Sequence, residues 1–472
     1  MDKKTKIVAT VSDLRCDVEF IEKLKKAGAN VIRLNTAHQT VDDTLRIVKN
    51  VRQVSEKLAL LLDTKGPEIR TSNSEYKIDL KKGDTIRIKG DAKGMSSPDC
   101  VYVSHDNFVN EVSIGDKIMI DDGDIELIVT DKKTGTLICE STNDGLVKAR
   151  KSVNVPNVSF SLPALSDKDR EYIRFAIEED IDFIAHSFVR NKEDISEIQQ
   201  MLDEKNSKVK IIAKIENQEG VDNIDEIIEN VYGIMVARGD LAIEIPYERI
   251  PGIQKKIINK CIDARKPVII ATQMLHSMIK NPRPTRAEVT DIANAIYSKT
   301  DAVMLSGETA FGDYPVEAVE TMGKIAMEVE KSRGDYHKTP ITILSSKTSA
   351  YLSKSAVEAS IKLDARVIIA DTTTGRTTRN MAGFRGRKPI YAQCYNKRVM
   401  RELALSFGIF PNYLEPQASS EFIATSLHQL TDKGILTKED QVVVIGGNFG
   451  LSHGASFVEI SSVENLQKRY NN

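Results

Sequence analysis

Neither sign of charge is in excess in this chain: 66 basic against 68 acidic side chains leave a formal net charge of −2. That balance argues against a nucleic-acid coat protein, a basic membrane-surface module and a disordered acidic chain, so no nucleic-acid partner is expected. Long apolar runs are missing as well. None reaches the roughly 18–20 residues of a membrane span, and no membrane partner is expected. The start, Met1 to Thr10, has lysines but enters a β-branched run instead of a signal-peptide core, which points to the cytoplasm. Cysteine is sparse and scattered: Cys16, Cys100, Cys139, Cys261 and Cys394 offer no CxxC spacing for zinc or redox chemistry and read as buried thiols. Tryptophan is absent and no segment is low-complexity. What remains is 472 residues of ordinary soluble composition, room for about three domains.

One phrase recurs: four to six apolar, mostly β-branched residues, one or two polar residues, then an amphipathic helical stretch. It occurs eight times, beginning at Lys6, Val31, Ala59, Phe183, Lys210, Gly233, Pro267 and Ala302. Near-continuous apolar strands suit a parallel sheet covered by helices. Helical patterns follow at Asp17 to Ala27, Asp42 to Glu56, Lys168 to Glu179 and Ile250 to Ala264, and capping-box spacing marks two helix starts, Ser166 with Asp169 and Thr285 with Glu288. Eight strand–helix units predict a (β/α)8 TIM barrel within an α/β chain, formed by residues 1–66 and 161–335.

The strand starts lie 23 to 35 residues apart except after the third, where the gap exceeds a hundred. Residues 67–160 change character there: short alternating stretches such as TIRIK, KIMID and TLICE are separated by the turn signals KKGD, SIGD, DDGD and KKTG. They predict a small β-barrel domain inserted at the catalytic end, where two chain crossings would let it move as a lid. Residues 336–472 restart a helix–strand pattern and predict an independent α/β effector domain.

Barrel chemistry sits at the carboxyl ends of the strands. Period two makes residues i and i+2 there share a face, which pairs Arg33 with Asn35, Lys214 with Glu216 and Arg238 with Asp240. Glu216 and Asp240 end consecutive strands, about 5 Å apart in the backbone. They either share one hard cation, for which magnesium is suited, or pair with Lys214 and Arg238 as capping salt bridges; four charges converging from two strands favour the cation. Lys214 beside Glu216 reads as a protonated electrophile, not a neutral Schiff-base lysine, or as the simple partner of Glu216. Arg33 and Arg70 bracket the site as phosphate-binding guanidiniums. Asn35, Asp63 and Thr64 offer oxygens for a large monovalent cation, or else cap the hinge before Lys65-Gly66-Pro67. Thr272 and Ser306 close the ring. Asp371 to Thr378 (DTTTGRTT), between a strand and a helix, is either an anion-binding turn or a plain helix cap.

These residues stand in motifs: TKIVATVS, GANVIRLNTAH, LLLDTKGPEIR, IIAKIENQEG, GIMVARGDL, ATQML, NPRPTRAEVTDIANAI and DAVMLSGETA. Along essentially its whole length the sequence resembles the pyruvate kinase family. The resemblance implies phosphoryl transfer from phosphoenolpyruvate to ADP, giving pyruvate and ATP, with Mg2+ and K+ as cofactors and a homotetramer as the usual assembly. It implies that Arg33 and Arg70 contact the transferring phosphoryl group and that Lys214 stabilises it and the enolate. Glu216 and Asp240 match magnesium ligands, and Asn35, Asp63 and Thr64 match potassium ligands, with Glu68 accompanying potassium dependence. Thr272 matches the threonine near the enolate carbon, in a relay with Ser306. Gly239 matches the turn that meets the substrate carboxylate, and His38 a nucleotide-side histidine. Thr372, Thr373, Thr374, Gly375, Arg376 and Thr377 match an effector loop for a phosphorylated metabolite.

Two departures stand out. Ala37 replaces a serine that usually gives potassium an oxygen, and the chain has no tryptophan for the late effector loop, so a bisphosphate activator is not expected over a monophosphate or none. Two other classes stay open on sequence alone: a magnesium-dependent barrel lyase, which needs no nucleotide, and a silent sugar-phosphate sensor using the DTTTGRTT turn.

Overall fold

A computed structural model describes residues 3–470 apart from 38, 333–339, 345, 417–420 and 448–453. Its first feature is a closed ring of eight parallel strands: β1 (Lys6–Val11), β2 (Val31–Asn35), β3 (Ala59–Asp63), β4 (Phe183–His186), β5 (Lys210–Ile215), β6 (Gly233–Ala237), β7 (Val268–Ala271) and β8 (Ala302–Leu305), each paired with its neighbours in chain order. The apolar runs are explained by burial on both faces. Alternate residues Val8, Ala59, Leu61, Phe183, Ala185, Ile212, Met235, Ile269 and Met304 fill the interior. Those between them, such as Ile7, Ile32, Leu60, Ile184, Ile211 and Ile270, pack against the outer helices. Both capping boxes form, Ser166 with Asp169 at α1 (Asp167–Glu178) and Thr285 with Glu288 at the helix Arg286–Tyr297.

The insert after β3 is a curled six-stranded sheet with a two-stranded sheet beside it. At its edges, Thr71 bridges Val103 of the strand Cys100–Val103, and Arg70 bridges Ser152, the residue before the strand Val153–Asn154. The DDGD signal turns with Asp121, Asp122 and Gly123 all at positive φ. Both crossings are fastened to the barrel. The Asp169 carboxylate accepts from Lys65 N at 2.9 Å, while Arg190 donates to Phe160 O at 3.1 Å and Leu162 O at 3.0 Å. Gly66, at φ +73°, packs so tightly that a Cβ would sit 2.7 Å from Ser187 Cβ.

The C-terminal part is a five-stranded sheet: β9 (Val367–Thr372), β10 (Ile390–Cys394), β11 (Ile409–Tyr413), β12 (Gln441–Gly447) and an antiparallel edge, β13 (Ala455–Ser462), in the order β11-β10-β9-β12-β13. It closes the lower end of the barrel, where Ala404 and Leu405 join the interior cluster. Buried ion pairs fix the contact: Arg385 grips Asp301 at 2.8 and 2.5 Å, and Arg401 Nε donates to Asp182 at 2.5 Å.

Candidate active site

Inward parity continues past the apolar layers to the carboxyl ends, where the inward positions turn polar: Thr10, Arg33, Asp63, Ser187, Lys214 and Glu216. The structure joins them. Lys214 Nζ lies 3.0 Å from Asp63 Oδ1 and 3.0 Å from Glu216 Oε1, and donates to Ser187 Oγ at 2.7 Å. Arg33 Nε donates to Asp63 Oδ2 at 2.6 Å and its Nη1 to Thr10 Oγ1 at 3.0 Å. The Phe188 amide donates to Glu216 Oε2 at 2.7 Å. Residues on or just beyond the first five strands thus share one buried network.

Electrostatics follow from this packing. Burial alone would lower the Lys214 ammonium, but Asp63, Glu216 and Asp240 outweigh it and hold Lys214 protonated well above the ordinary lysine value. Asp63 is opposed by burial too, yet Arg33 and Lys214 keep it below the usual carboxylate range. Glu216 goes the other way: burial, with Asp240 nearby, pushes its carboxyl upward despite Lys214. The mouth therefore has a fixed ammonium and a local surplus of carboxylate charge.

A second group forms across β6 and β7. Gly239 N donates to Thr272 Oγ1 at 2.8 Å, and that hydroxyl donates to Ala271 O at 2.7 Å. Thr272 and Gln273 both have positive φ, +69° and +54°. Ser306 follows β8, its amide donating at 2.8 Å to the buried Glu308, which also takes the Leu275 amide at 3.1 Å. A cavity of about 640 Å³ opens from Asp240, Phe188 and Asn217 toward Glu68, Val155 and Phe160 of the lid side.

Of the other expected residues, Thr64 touches the lysine network through Ser187, and the rest make no side-chain bond to it among the described residues. Arg70 binds Glu68 Oε2 at 2.7 Å and Arg150 O at 2.8 Å within the lid. Asn35 faces Asp63 in register between β2 and β3, and its Oδ1 accepts from Ala37 N at 3.2 Å. Thr64 Oγ1 bonds with Ala185 O at 3.3 Å and the Ser187 amide at 3.1 Å. His38 lies outside the described residues. In the C-terminal sheet, Thr372 Oγ1 accepts from Gly375 N at 2.8 Å and Thr377 is buried beside Ser349, while Thr373, Thr374 and Arg376 are exposed.

One expectation is corrected. Arg238 and Asp240 do not share a strand face, because β6 stops at Ala237 and both stand on α2 (Arg238–Glu244). Two residues along a helix are about 200° apart around the axis, and Arg238 turns to Asp291 at 2.7 Å, not to Asp240. Ser187 was missed by sequence reasoning, although a polar residue just past β4 on the inward parity was the available signal. Glu308 carried no sequence signal, since its work is to accept backbone amides. Among the described residues no group of three or more His, Cys, Asp or Glu side chains is gathered as a metal cage.

Comparison with known proteins gives a family. The model for the barrel domain of pyruvate kinase matches residues 2–319, and that for its alpha/beta domain matches residues 351–461. A pyruvate kinase of Borreliella burgdorferi is 48% identical, covering 100% of both chains. One of Clostridium acetobutylicum is 43% identical over 94% of this chain and 96% of its own. One of Bacillus licheniformis is 43% identical over 95% of this chain and 78% of its own.

Proposed function

The chain belongs to the pyruvate kinase family, and we propose that the polar mouth of its barrel is where it moves a phosphoryl group between phosphoenolpyruvate and ADP. The chain is a glycolytic phosphotransferase that yields pyruvate and ATP.

The observation that carries the assignment of the site is the ammonium of Lys214, fixed 3.0 Å from carboxylates on two sides. Phosphoryl transfer asks the protein for positioning and charge neutralisation more than for covalent chemistry. Lys214 supplies a permanent positive charge to the transferring group and then to the enolate oxygen. Arg33, stiffened by Asp63 and Thr10, offers its remaining N–H groups to phosphate oxygens, and Arg70 approaches from the lid as it closes. The Gly239 turn receives the substrate carboxylate. Thr272, with Ser306 and a water, delivers a proton to the enolate carbon. Closure of the lid on its two fastened crossings excludes water.

The carboxylate surplus at Glu216 and Asp240 suits a divalent ion that takes one or two protein carboxylates and fills its shell with water and phosphate oxygens. These two residues would hold magnesium, which when bound neutralises phosphate charge. Asn35, Asp63 and Thr64 would hold potassium, with Ala37 giving it no side-chain oxygen. The same reading divides the chain at 66/67, 160/161 and 335/336. It assigns a homotetramer and a cytoplasmic location, and an effector site for a phosphorylated metabolite at Thr372 to Thr377. No helix of the described residues is long and apolar enough to cross a membrane.

Pyruvate formation from phosphoenolpyruvate, followed with and without ADP, tests the site through Lys214→Met. Loss of ADP-dependent turnover with the fold retained supports it, and near-normal turnover overturns it.

A further inference from the structure

We propose that Arg238 is a positioning residue for Thr272: it holds the strained turn after β7 and sets where the Thr272 hydroxyl points, with Asp291 as its anchor. This rests on the reading above in which Thr272 serves the proton transfer at carbon.

Thr272 and Gln273 are successive non-glycine residues in the left-handed region. For a β-branched residue such as Thr272 that conformation is an outlier, and it persists only where surrounding structure enforces it. The Arg238 guanidinium supplies the enforcement. Its Nη2 donates to Thr272 O at 2.8 Å, its Nε to Ala271 O at 3.3 Å, and its Nη1 to Asp291 Oδ1 at 2.8 Å. The planar fork holds its donors at fixed directions and separations, so one guanidinium binds two successive carbonyls and a carboxylate in a single rigid arrangement.

The side chain of Thr272 is governed from the same place. Its Oγ1 accepts from the amide of Gly239, the residue next to Arg238, and donates to Ala271 O. Ala271 O is also the acceptor of Arg238 Nε. The guanidinium and the hydroxyl therefore share one acceptor, and by holding that carbonyl Arg238 fixes the direction in which the hydroxyl donates. In the step it serves, the enolate carbon gains a proton from the Thr272 hydroxyl, directly or through a water, and solvent returns one to the oxygen. Arg238 makes no bond to the Lys214 network among the described residues, so its effect should fall on the proton and not on the phosphoryl group.

The two halves of the reaction can be read separately. ATP formation from phosphoenolpyruvate and ADP reports phosphoryl transfer. Deuterium uptake into the pyruvate methyl group in heavy water, with Mg2+, K+ and ATP present, reports the proton step. In Arg238→Gln the exchange should fall about ten-fold or more beyond any fall in ATP formation, a part of the roughly hundred-fold that a well-placed general acid contributes at the least. Asp291→Asn, which leaves the guanidinium in place without its anchor, should move the ratio the same way by less, and it carries the test if the glutamine variant does not fold. An equal fall in both rates, or no fall in either, overturns the proposal. Thr272→Val separates the two levels: if it loses exchange while the Arg238 and Asp291 variants do not, the positioning role fails alone; if it keeps exchange, the reading of Thr272 fails with it.

Discussion

Lys214 and Asp63 meet at 3.0 Å across the barrel mouth although they stand on strands separated by β4. Asp63 uses its second oxygen for Arg33 at 2.6 Å, so one buried carboxylate orders both cations. Asp63→Asn should leave each cation present but loosely aimed. Misplacement on the ångström scale costs about a hundred-fold in rate, and kcat at saturating phosphoenolpyruvate and ADP should fall by about that much with the thermal midpoint little changed. A kcat within about three-fold of the parent would show that Asp63 does not organise the site.

The barrel and the C-terminal sheet are joined by a pair that has no water to fall back on. Asp301 accepts two bonds from Arg385 and further ones from the Phe407 amide at 2.9 Å and the Val268 amide at 3.1 Å. Removing one partner of such a pair leaves an uncompensated buried charge and costs about 3–5 kcal/mol. Asp301→Ala should show a loss of that size in the unfolding free energy obtained from urea titration. A loss under about 1 kcal/mol would mean that packing at Ala404 and Leu405 carries the contact instead.

What could be read before any coordinates was whatever depends on period. Eight β-branched runs and two capping boxes are local, and each closes into the element that its residues favour. Parity along β2 and β5 is equally local, which is why Arg33 with Asn35 and Lys214 with Glu216 were legible as pairs, while Asp63 was read only with Asn35 and Thr64. Parity failed at Arg238, where a strand becomes a helix within one residue and nothing in ARGDL marks the change. Distances around the ring were not legible either. That Lys214 spans to Asp63, and that Glu308 takes the amides of Ser306 and Leu275, depends on barrel closure, a long-range outcome with no counterpart in neighbouring residues.

Ala37 bears on the cation response. It donates its amide to Asn35 Oδ1 and offers only a backbone carbonyl, which Lys168 Nζ approaches at 3.3 Å. Potassium held by Asn35, Asp63 and Thr64 would lack one oxygen, so its advantage over sodium should be small. Ala37→Ser should widen that advantage by several-fold, about 1 kcal/mol for one added neutral ligand. Initial rates in potassium, in sodium and in neither, for both chains, decide it. A strong and specific potassium requirement in the parent chain would count against the site as drawn.

His186, on β4, gives the pH dependence of stability. It is fully buried on the outward parity between Asp194 and Asp169, and neither ring nitrogen has a hydrogen-bond partner of ordinary geometry. Burial lowers its pKa from 6.5 to about 4, only partly opposed by Asp194 and Asp169. The unfolded chain therefore binds a proton that the folded chain refuses. Above about pH 6.5 the ring is neutral in both states and nothing is lost; between about 6.5 and 4 stability falls with falling pH, by about 3 kcal/mol across the window. His186→Leu keeps the volume and removes the proton, so its stability should change less than the parent's between about pH 7.5 and pH 5. Thermal midpoints at the two values measure this, and equal slopes for parent and variant would assign the acid sensitivity to other groups.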